Sequence, residues 1–215
     1  MKAKQLKMIL EQIPVGQMQN FCYIVADENT REAAVVDPAW ENSKILKIAE
    51  KHGLKVNKIL ITHTDFDHIE GLKEMAGITD AVVYVHKNGK DDIKRLGISR
   101  IKTVNEGDEI DIGKIKISVL HTPGHKPSCV CFLIGTHKLL TGDTLFVEGC
   151  GRMDMPGGDI NKQFESLQKL KKMDEDIAVY PGHDYGSIPS STIKREKIKN
   201  PFLKCSSFEE FMNIG

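Results

Sequence analysis

Short apolar runs and amphipathic stretches alternate along the first half of the chain. Residues 43–54 carry apolar side chains at helical spacing, so they predict a helix that stops at Gly53. Residues 69–76 predict a second, shorter helix. The other apolar runs predict strands, and they cover residues 20–26, 33–36, 56–61 and 81–85.

The second half of the chain restarts the same pattern. Residues 160–171 have one apolar face and predict a helix. Strands separated by glycine-containing turns are predicted at residues 109–112, 114–120, 128–134, 138–140 and 177–180. Strands with interspersed helices in two comparable halves favour sheets covered by helices, and two packed sheets fit them. Because no low-complexity linker divides the chain, we expect a single α/β (α+β) domain over residues 1–215.

Charge and hydropathy narrow the classes of function. The 30 Lys and Arg residues balance the 30 Asp and Glu residues, whereas a nucleic-acid surface normally shows a basic excess. No run approaches the length of a membrane span, and residues 1–5 lead into no signal-peptide core. We therefore expect a cytoplasmic protein that binds neither nucleic acid nor membrane.

The cysteines argue against both a disulfide framework and a zinc knuckle. There are five of them, an odd and scattered set. Cys129 and Cys131 lie in a predicted strand, but their spacing is not the Cys-x-x-Cys of a structural zinc site. We interpret these two side chains as buried thiols.

Potential metal ligands collect just beyond the ends of predicted strands. The strand at 56–61 runs directly into a cluster of four such residues, His63, Asp65, Asp67 and His68. His125, Asp143 and His183 also follow strands, and each has a glycine immediately before it. A lone histidine or aspartate in such a turn is usually a turn residue. Four segments with the same placement predict one metal site on a rigid scaffold.

Other polar residues lack this context. Asp37 precedes Pro38 at a strand end, and we expect it to anchor the loop. The remaining histidines are interpreted as surface or core residues, and they are His52, His86, His121 and His137.

Taken in order, the ligand segments resemble the motifs of the metallo-β-lactamase-fold superfamily, whose first signature is His-x-His-x-Asp-His. The resemblance covers nearly the whole chain. Residues 142–152 and 180–185 are similar to the glyoxalase II and persulfide dioxygenase branch, and the tail at 191–211 resembles the C-terminus of persulfide dioxygenases and small glyoxalase-II-like hydrolases.

This resemblance implies a four-layer αββα sandwich, in which helices flank two mixed β-sheets. It also implies two divalent metal ions, of zinc, iron or manganese, which activate water so that no serine or cysteine nucleophile is required. His63 and His125 would hold the first ion, and Asp143 would bridge the two. The second ion would be held by Asp67, His68 and His183. Asp67 and Asp143 are the expected catalytic carboxylates.

Two further residues are implied in substrate binding. Arg152 and Tyr185 lie near the site in the family pattern and could meet a substrate carboxylate or thiol conjugate. The alternatives are an internal ion pair for Arg152 and simple packing for Tyr185.

One ligand departs from the family pattern, because Asp65 stands where the second histidine is usual. A carboxylate adds negative charge and a harder oxygen donor, which should favour iron or manganese. The flavodiiron branch has a glutamate at this position, but 215 residues leave no room for its flavodoxin domain.

Three functions remain open at this point. The first is a glyoxalase-II-like hydrolase acting on a thioester, hydroxyacyl-glutathione or a related small thiol conjugate. The second is a persulfide dioxygenase with a single iron held by His63, His125 and Asp143. The third is a non-catalytic metal-binding scaffold with a degenerate site. We allow for a homodimer in each case.

Overall fold

The computed structural model describes residues 7–214, so the N-terminal residues 1–5, on which the expectation about a signal peptide depends, lie outside the described residues. The first half contains the strands β1 (Met8–Val15), β2 (Asn20–Asp27), β3 (Glu32–Val36), β4 (Lys55–Leu60), β5 (Val82–His86) and β6 (Ile101–Val104). Its helices are α1 (Asn42–Lys51), α2 (Phe66–Ile69), α3 (Leu72–Thr79) and α4 (Lys90–Arg95), with a 3-10 turn at Lys87–Gly89.

The second half is built in the same way. Its strands are β7 (Glu109–Ile112), β8 (Ile115–His121), β9 (Val130–Ile134), β10 (Lys138–Gly142), β11 (Ala178–Pro181) and β12 (Ser191–Thr192). Its helices are α5 (Ile160–Lys171), α6 (Ile193–Lys199), α7 (Pro201–Lys204) and α8 (Phe208–Met212). None of the helices in residues 7–214 has the length and apolar composition needed to cross a bilayer.

The strands form two six-stranded mixed sheets, each made from one half of the chain. The first sheet has the order β1-β2-β3-β4-β5-β6 and the second β12-β11-β10-β9-β8-β7. β3 to β6 pair in parallel, whereas β1, β2 and β3 pair antiparallel. In the second sheet only the β10–β11 pair is parallel.

Three layers of apolar side chains hold the sandwich together. Phe21, Tyr23 and Val25 of β2 face the second sheet, while the alternate residues of this strand face the helices α1, α3 and α4. Both faces of β2 are therefore buried, as expected for a central strand covered on both sides. A third cluster lies between the second sheet and α5 to α8. The predicted αββα sandwich is confirmed.

Two predicted helices differ from those in the structure. The helix predicted at 69–76 is two helices, α2 and α3, because the chain turns at Gly71. A side chain there would come within 2.8 Å of the carbonyl oxygen of Ala39, so this close approach requires a glycine. α1 ends three residues before the predicted boundary, and Gly53 follows in the left-handed conformation with φ 62°.

The strands that the pattern does not predict lie at sheet edges. β1 and β6 are the outer strands of the first sheet, and the two-residue β12 is an outer strand of the second. β1 is only half-buried over most of its length and contains Pro14, which an edge strand tolerates. These three strands lack the strong apolar pattern of a central strand, so they are hard to see in the sequence, whereas β7, the remaining edge strand, alternates regularly and was predicted.

Candidate metal centre

The candidate ligands all emerge from the carboxyl ends of strands. His63 and Asp65 follow β4, and the chain then enters α2, which carries Asp67 and His68. His125, Asp143 and His183 follow β8, β10 and β11 of the other sheet. The structure thus brings all seven residues named in the sequence analysis together, with four from one sheet and three from the other.

Glycines before two of these ligands permit the close approach. Gly142 has φ 48°, and a side chain on it would meet the Thr62 hydroxyl at 2.6 Å. A side chain on Gly182 would collide with Oδ1 of Asp143. Each glycine therefore lets a strand end pass the neighbouring segment, which places the next side chain in the cluster.

Each of the four histidines has its Nδ1 beside an oxygen of the protein. The partners are the Thr62 hydroxyl for His63 (3.1 Å), Asp37 Oδ2 for His68 (3.1 Å), the Arg152 carbonyl for His125 (2.7 Å) and the Met18 carbonyl for His183 (2.8 Å). Carbonyl and carboxylate oxygens accept from Nδ1–H, which leaves Nε2 free to face the cluster. This is the arrangement that orients histidine ligands in metal sites.

The facing atoms form three overlapping groups. In each group the potential ligand atoms lie within 4.8 Å of one another, and the groups are His63–Asp65–His125, His63–His68–Asp143 and Asp67–His68–His183. The third group contains the residues predicted to hold the second ion, and the first group contains the two histidines predicted for the first ion together with Asp65. The middle group shares one histidine with each of them and contains Asp143, the predicted bridge.

Asp143 lies between the two histidine pairs. Its Oδ2 is 3.3 Å from Nε2 of His183 and 3.8 Å from Nε2 of His125, and its Oδ1 is 3.3 Å from Nε2 of His68. Both carboxylate oxygens thus face ligand nitrogens, and the two oxygens reach both sides of the cluster.

Asn20 orients the second carboxylate. Its Nδ2 donates to Oδ2 of Asp67 at 3.0 Å and to the Asp67 carbonyl at the same distance. Oδ2 of Asp67 also lies 3.3 Å from Nε2 of His183. This role of Asn20 is not visible in the sequence, since a single asparagine at a strand start carries no recognisable signal.

Two buried polar atoms in the cluster fit a bound cation. Among residues 7–214, four buried side-chain nitrogen or oxygen atoms make no hydrogen bond, and two of them are Nε2 of His63 and Oδ1 of Asp143. An unsatisfied buried polar atom is costly unless something else satisfies it. Imidazole nitrogens and carboxylate oxygens are good ligands for zinc, iron or manganese, so this donor set fits the predicted ions.

Protons occupy part of this donor set when metal is absent. Burial opposes charge on His183, but hydrogen bonds with Asp143 and Asp67 raise its pKa to about 9. Burial also opposes charge on His68, yet the Asp143 and Asp37 carboxylates raise its pKa well above the usual value. Burial, with the neighbouring charge of His68, lowers the pKa of His63 to about 4. Metal binding therefore competes with protons at His68 and His183.

Asp65, the residue that departs from the family pattern, is shared between the cluster and a lysine. Its Oδ2 lies 3.0 Å from Nε2 of His125 and 3.9 Å from Nε2 of His63. Its Oδ1 accepts from Nζ of Lys126 at 2.7 Å. Burial opposes ionisation of Asp65, but hydrogen bonds from His125 and Lys126 bring its pKa below the usual range. The negative charge of Asp65 is thus compensated by Lys126, whose role is not visible in the sequence.

Asp37 does more than anchor its loop. It accepts from the backbone N–H of Thr62 at 2.8 Å and from the Thr62 hydroxyl at 2.6 Å, which is the predicted anchoring role. Its Oδ2 also lies 3.1 Å from Nδ1 of His68. Asp37 therefore supports His63 through Thr62 and His68 directly.

Arg152 and Tyr185 both line a cleft of about 380 Å³ over the cluster. The Arg152 guanidinium makes two 2.6 Å hydrogen bonds to Asp154, and its backbone carbonyl holds His125. The Tyr185 ring stacks on His183 with centroids 4.5 Å apart. The contacts of these two residues with a substrate remain a prediction. The structure contains the two contacts that were considered as alternatives, an ion pair for Arg152 and packing for Tyr185.

The other histidines and the cysteines take no part in the cluster. His52 pairs with Glu11, His86 is buried and stacks on His121, and His137 is exposed. Cys129 and Cys131 are buried free thiols, and the three ligand groups found within residues 7–214 contain no cysteine.

Comparison with known proteins identifies the family and several relatives. The profile of the Metallo-beta-lactamase superfamily matches residues 15–183. The probable polyketide biosynthesis zinc-dependent hydrolase PksB of Bacillus subtilis is 31% identical over 91% of this chain and 86% of its own length. The persulfide dioxygenase ETHE1 of Homo sapiens is 32% identical over 90% of this chain and 75% of its own.

A third relative and a solved structure complete the comparison. The hydroxyacylglutathione hydrolase of Francisella philomiragia is 36% identical over 79% of this chain, which spans 65% of that enzyme. The crystal structure of ETHE1 from Myxococcus xanthus superposes with a TM-score of 0.87 at 32% identity, and the match covers 96% of this chain and 89% of that one.

Proposed function

This chain belongs to the metallo-beta-lactamase superfamily, and we propose that it is a metal-dependent hydrolase that cleaves the thioester of a small thiol conjugate. The observation that carries the proposal is the presence of two ligand groups, one on each side of Asp143. Two hydrolases stand among the relatives, and one of them is named for a glutathione thioester, which supports the substrate class.

In this reaction the protein would hold two metal ions in fixed positions. Two divalent ions, of zinc, iron or manganese, would supply a water-derived nucleophile at neutral pH and polarise the thioester carbonyl. His63, Asp65 and His125 would hold one ion, and Asp67, His68 and His183 the other. Asp143 would bind both, because its two oxygens face nitrogens on both sides of the cluster.

Hydrogen bonds around the cluster keep this geometry rigid. Asn20 holds Asp67, Asp37 holds His68, and the Met18 carbonyl holds His183. Groups whose orientation is fixed before the substrate arrives need no rearrangement during the reaction. We expect Asp67 and Asp143 to be the carboxylates on which hydrolysis depends most.

A second candidate function has its own support. His63, His125 and Asp143 form the two-histidine, one-carboxylate set typical of non-haem iron oxygenases. The human relative is a persulfide dioxygenase, and its identity to this chain equals that of the hydrolases to within a few per cent. On this reading a single iron binds the trio, and the group around His183 is not required for the reaction.

Replacing His183 distinguishes the two candidates. The variant His183→Ala removes a ligand of the third group only, whereas His125→Ala removes a ligand that both candidates need. For the hydrolase, both variants should lose at least about 100-fold in kcat/KM for thioesters, the cost of a missing ligand or its partner. The wild-type protein, purified without chelator, should contain close to two metal ions per chain by mass spectrometry.

The opposite pattern would favour the dioxygenase. A single iron per chain, oxygen uptake with a persulfide, and retention of that activity in His183→Ala would contradict the hydrolase proposal. A near-native melting temperature in both variants would show that the fold is intact.

A further inference from the structure

Large apolar side chains surround the mouth of the metal cleft. Eight such residues are exposed within residues 7–214, and four of them line this one cleft, namely Met18, Phe66, Met155 and Tyr185. They come from four separate segments, so the clustering is not the face of a single helix. Phe66 is 62% exposed and stands at the start of α2, between the ligands Asp65 and Asp67. Exposed apolar side chains that gather at one place mark a binding site.

The apolar wall continues beyond the cleft towards Trp40. Met18 lines both the metal cleft and an adjoining hollow of about 600 Å³ that contains Trp40. The Trp40 ring meets the edge of Phe66, with centroids 6.5 Å apart. It also occupies the space beside Gly16, where any side chain would collide with it. Met18, Phe66 and Trp40 thus border a trough that starts at the ligand cluster, and we call it the apolar trough.

The charged groups around the trough do not suit an anionic substrate. The Arg152 guanidinium is bound by Asp154, and Lys126 is bound by Asp65. At the far end one oxygen of Glu41 accepts from the backbone N–H of Gly16 at 2.9 Å, and the other lies 3.7 Å from Nζ of Lys44, so this lysine is paired as well. Glutathione carries two carboxylates, and among the described residues that line the cleft and the trough only one is a lysine or arginine, namely Arg152, which is already paired with Asp154.

We propose that the substrate is a thioester with an extended apolar acyl group, which lies in the apolar trough, and that its thiol carrier is not recognised through carboxylates. This proposal rests on the hydrolase function argued above. In the reaction water adds its oxygen to the acyl carbon, the C–S bond breaks, and the products are a carboxylic acid and the free thiol. In the bound substrate the thioester carbonyl lies at the cluster, and the acyl chain extends from it between Met18 and Phe66 towards Trp40.

The first test compares thioesters of increasing chain length on two carriers. Acetyl, butyryl, hexanoyl and octanoyl groups are placed on N-acetylcysteamine, which is uncharged, and on glutathione. Complete burial of a methylene gives about a fourfold gain in binding, so a half-open trough should give about twofold for each. We therefore expect kcat/KM to rise about 60-fold from acetyl to octanoyl, with no advantage for the glutathione carrier.

Variants of trough residues test whether the trough causes this dependence on chain length. Phe66→Ala and Trp40→Ala should both flatten the dependence on chain length, and Trp40→Ala should lower the octanoyl value more than the butyryl value. Ile78→Ala is the matched control, because Ile78 is 59% exposed on α3 and lies outside the trough. This control should keep the wild-type dependence.

A binding measurement separates this proposal from the hydrolase proposal. Trp40 is the single tryptophan of the sequence, so its fluorescence reports on the trough directly. The thioether S-octyl-N-acetylcysteamine cannot be hydrolysed and should change this fluorescence at concentrations at which S-ethyl-N-acetylcysteamine does not.

The outcomes differ for the two proposals. Octyl binding without hydrolysis of any thioester would support the trough and reject the hydrolase. Hydrolysis without chain-length dependence, or with the lactoyl thioester of glutathione preferred over octanoyl, would overturn the apolar acyl group. An unchanged Trp40 signal with the octyl thioether would also overturn it.

Discussion

At the scale of single residues, the centre depends on oxygens that hold the far side of each histidine ring. Two of these oxygens are backbone carbonyls, of Met18 and Arg152. A carbonyl belongs to every residue type, so no sequence pattern could reveal this role. The ligands themselves were accessible to sequence reasoning, because their residue types and their positions after strands form a specific motif. Their supports follow only from the folded chain.

The pair Asp65–Lys126 leads to a prediction about zinc. Asp65→His restores the usual family ligand, but it leaves the Lys126 ammonium without its carboxylate, beside a bound cation. The double variant Asp65→His, Lys126→Met removes this repulsion. We expect the double variant to bind zinc about 10-fold more tightly than Asp65→His alone, in competition with a chromophoric chelator.

Lys126→Met alone is the control for lost packing of the lysine stem. Equal zinc affinities of the single and double histidine variants would show that Lys126 does not act on the first site. In that case the compensation of charge described above would have no energetic consequence.

At the scale of elements, the central strands and the edge strand β7 were predictable, and the edge strands β1, β6 and β12 were not. The runs at 21–26 and 59–61 are apolar on both faces, because helices cover one side of the sheet and the other sheet covers the second. β1 and β6 lack one neighbour, and their sequences are accordingly mixed. α6, α7 and α8 are too short to show a helical period. The order of strands within the sheets follows from pairing rather than from local pattern.

Asp27 connects elements of the two sheets and yields a prediction about stability. At the end of β2 it accepts from the backbone N–H groups of Asn29 (2.8 Å) and of Lys114 (2.7 Å), the latter in the turn between β7 and β8. Asp27→Asn has one acceptor oxygen instead of two, so one N–H loses its partner. We expect a loss of about 1–3 kcal/mol in the free energy of unfolding, measured with urea at pH 6 on metal-free protein.

This loss should depend on pH. Burial opposes ionisation of Asp27, but the N–H groups of Lys114 and Asn29 bring its pKa below the usual value of 3.8. A carboxylate with a lowered pKa stabilises the fold above its unfolded pKa, and this contribution fades as pH falls through the folded value. The difference between wild type and Asp27→Asn should therefore shrink below about pH 4. Asp111→Asn, an exposed position on β7, should show little loss at either pH.

At the scale of the whole molecule, the centre lies where the two halves of the chain meet. Backbone hydrogen bonds join the two halves there. The Phe21 N–H donates to the Gly182 carbonyl and the Asp184 N–H donates to the Gln19 carbonyl, both at 2.8 Å. The two-sheet architecture was predictable from the two comparable halves and from the family resemblance. The way in which the sheets meet at the cluster required the structure.

Metal removal should lower the stability without unfolding the protein. Without metal, the apolar layers and the backbone hydrogen bonds still hold the two halves together. The protein loses only the bonds through which the ions would connect ligands from the two sheets. With free zinc at about 1,000 times its Kd, binding stabilises the folded state by about 4 kcal/mol, which for a chain of this size corresponds to about 10 °C in Tm. Calorimetry with and without EDTA measures this shift, and zinc should restore it. An unchanged Tm would contradict a centre shared between the two halves.

The spread of the ligands along the chain also bears on biosynthesis. Synthesis proceeds from the N-terminus, and the third ligand group gains His183 only after β11 has been made. The first sheet can form earlier, because all of its strands precede residue 105. During synthesis on the ribosome we therefore expect the third ligand group to be completed last, after every strand of the first sheet and after the ligands of the other two groups.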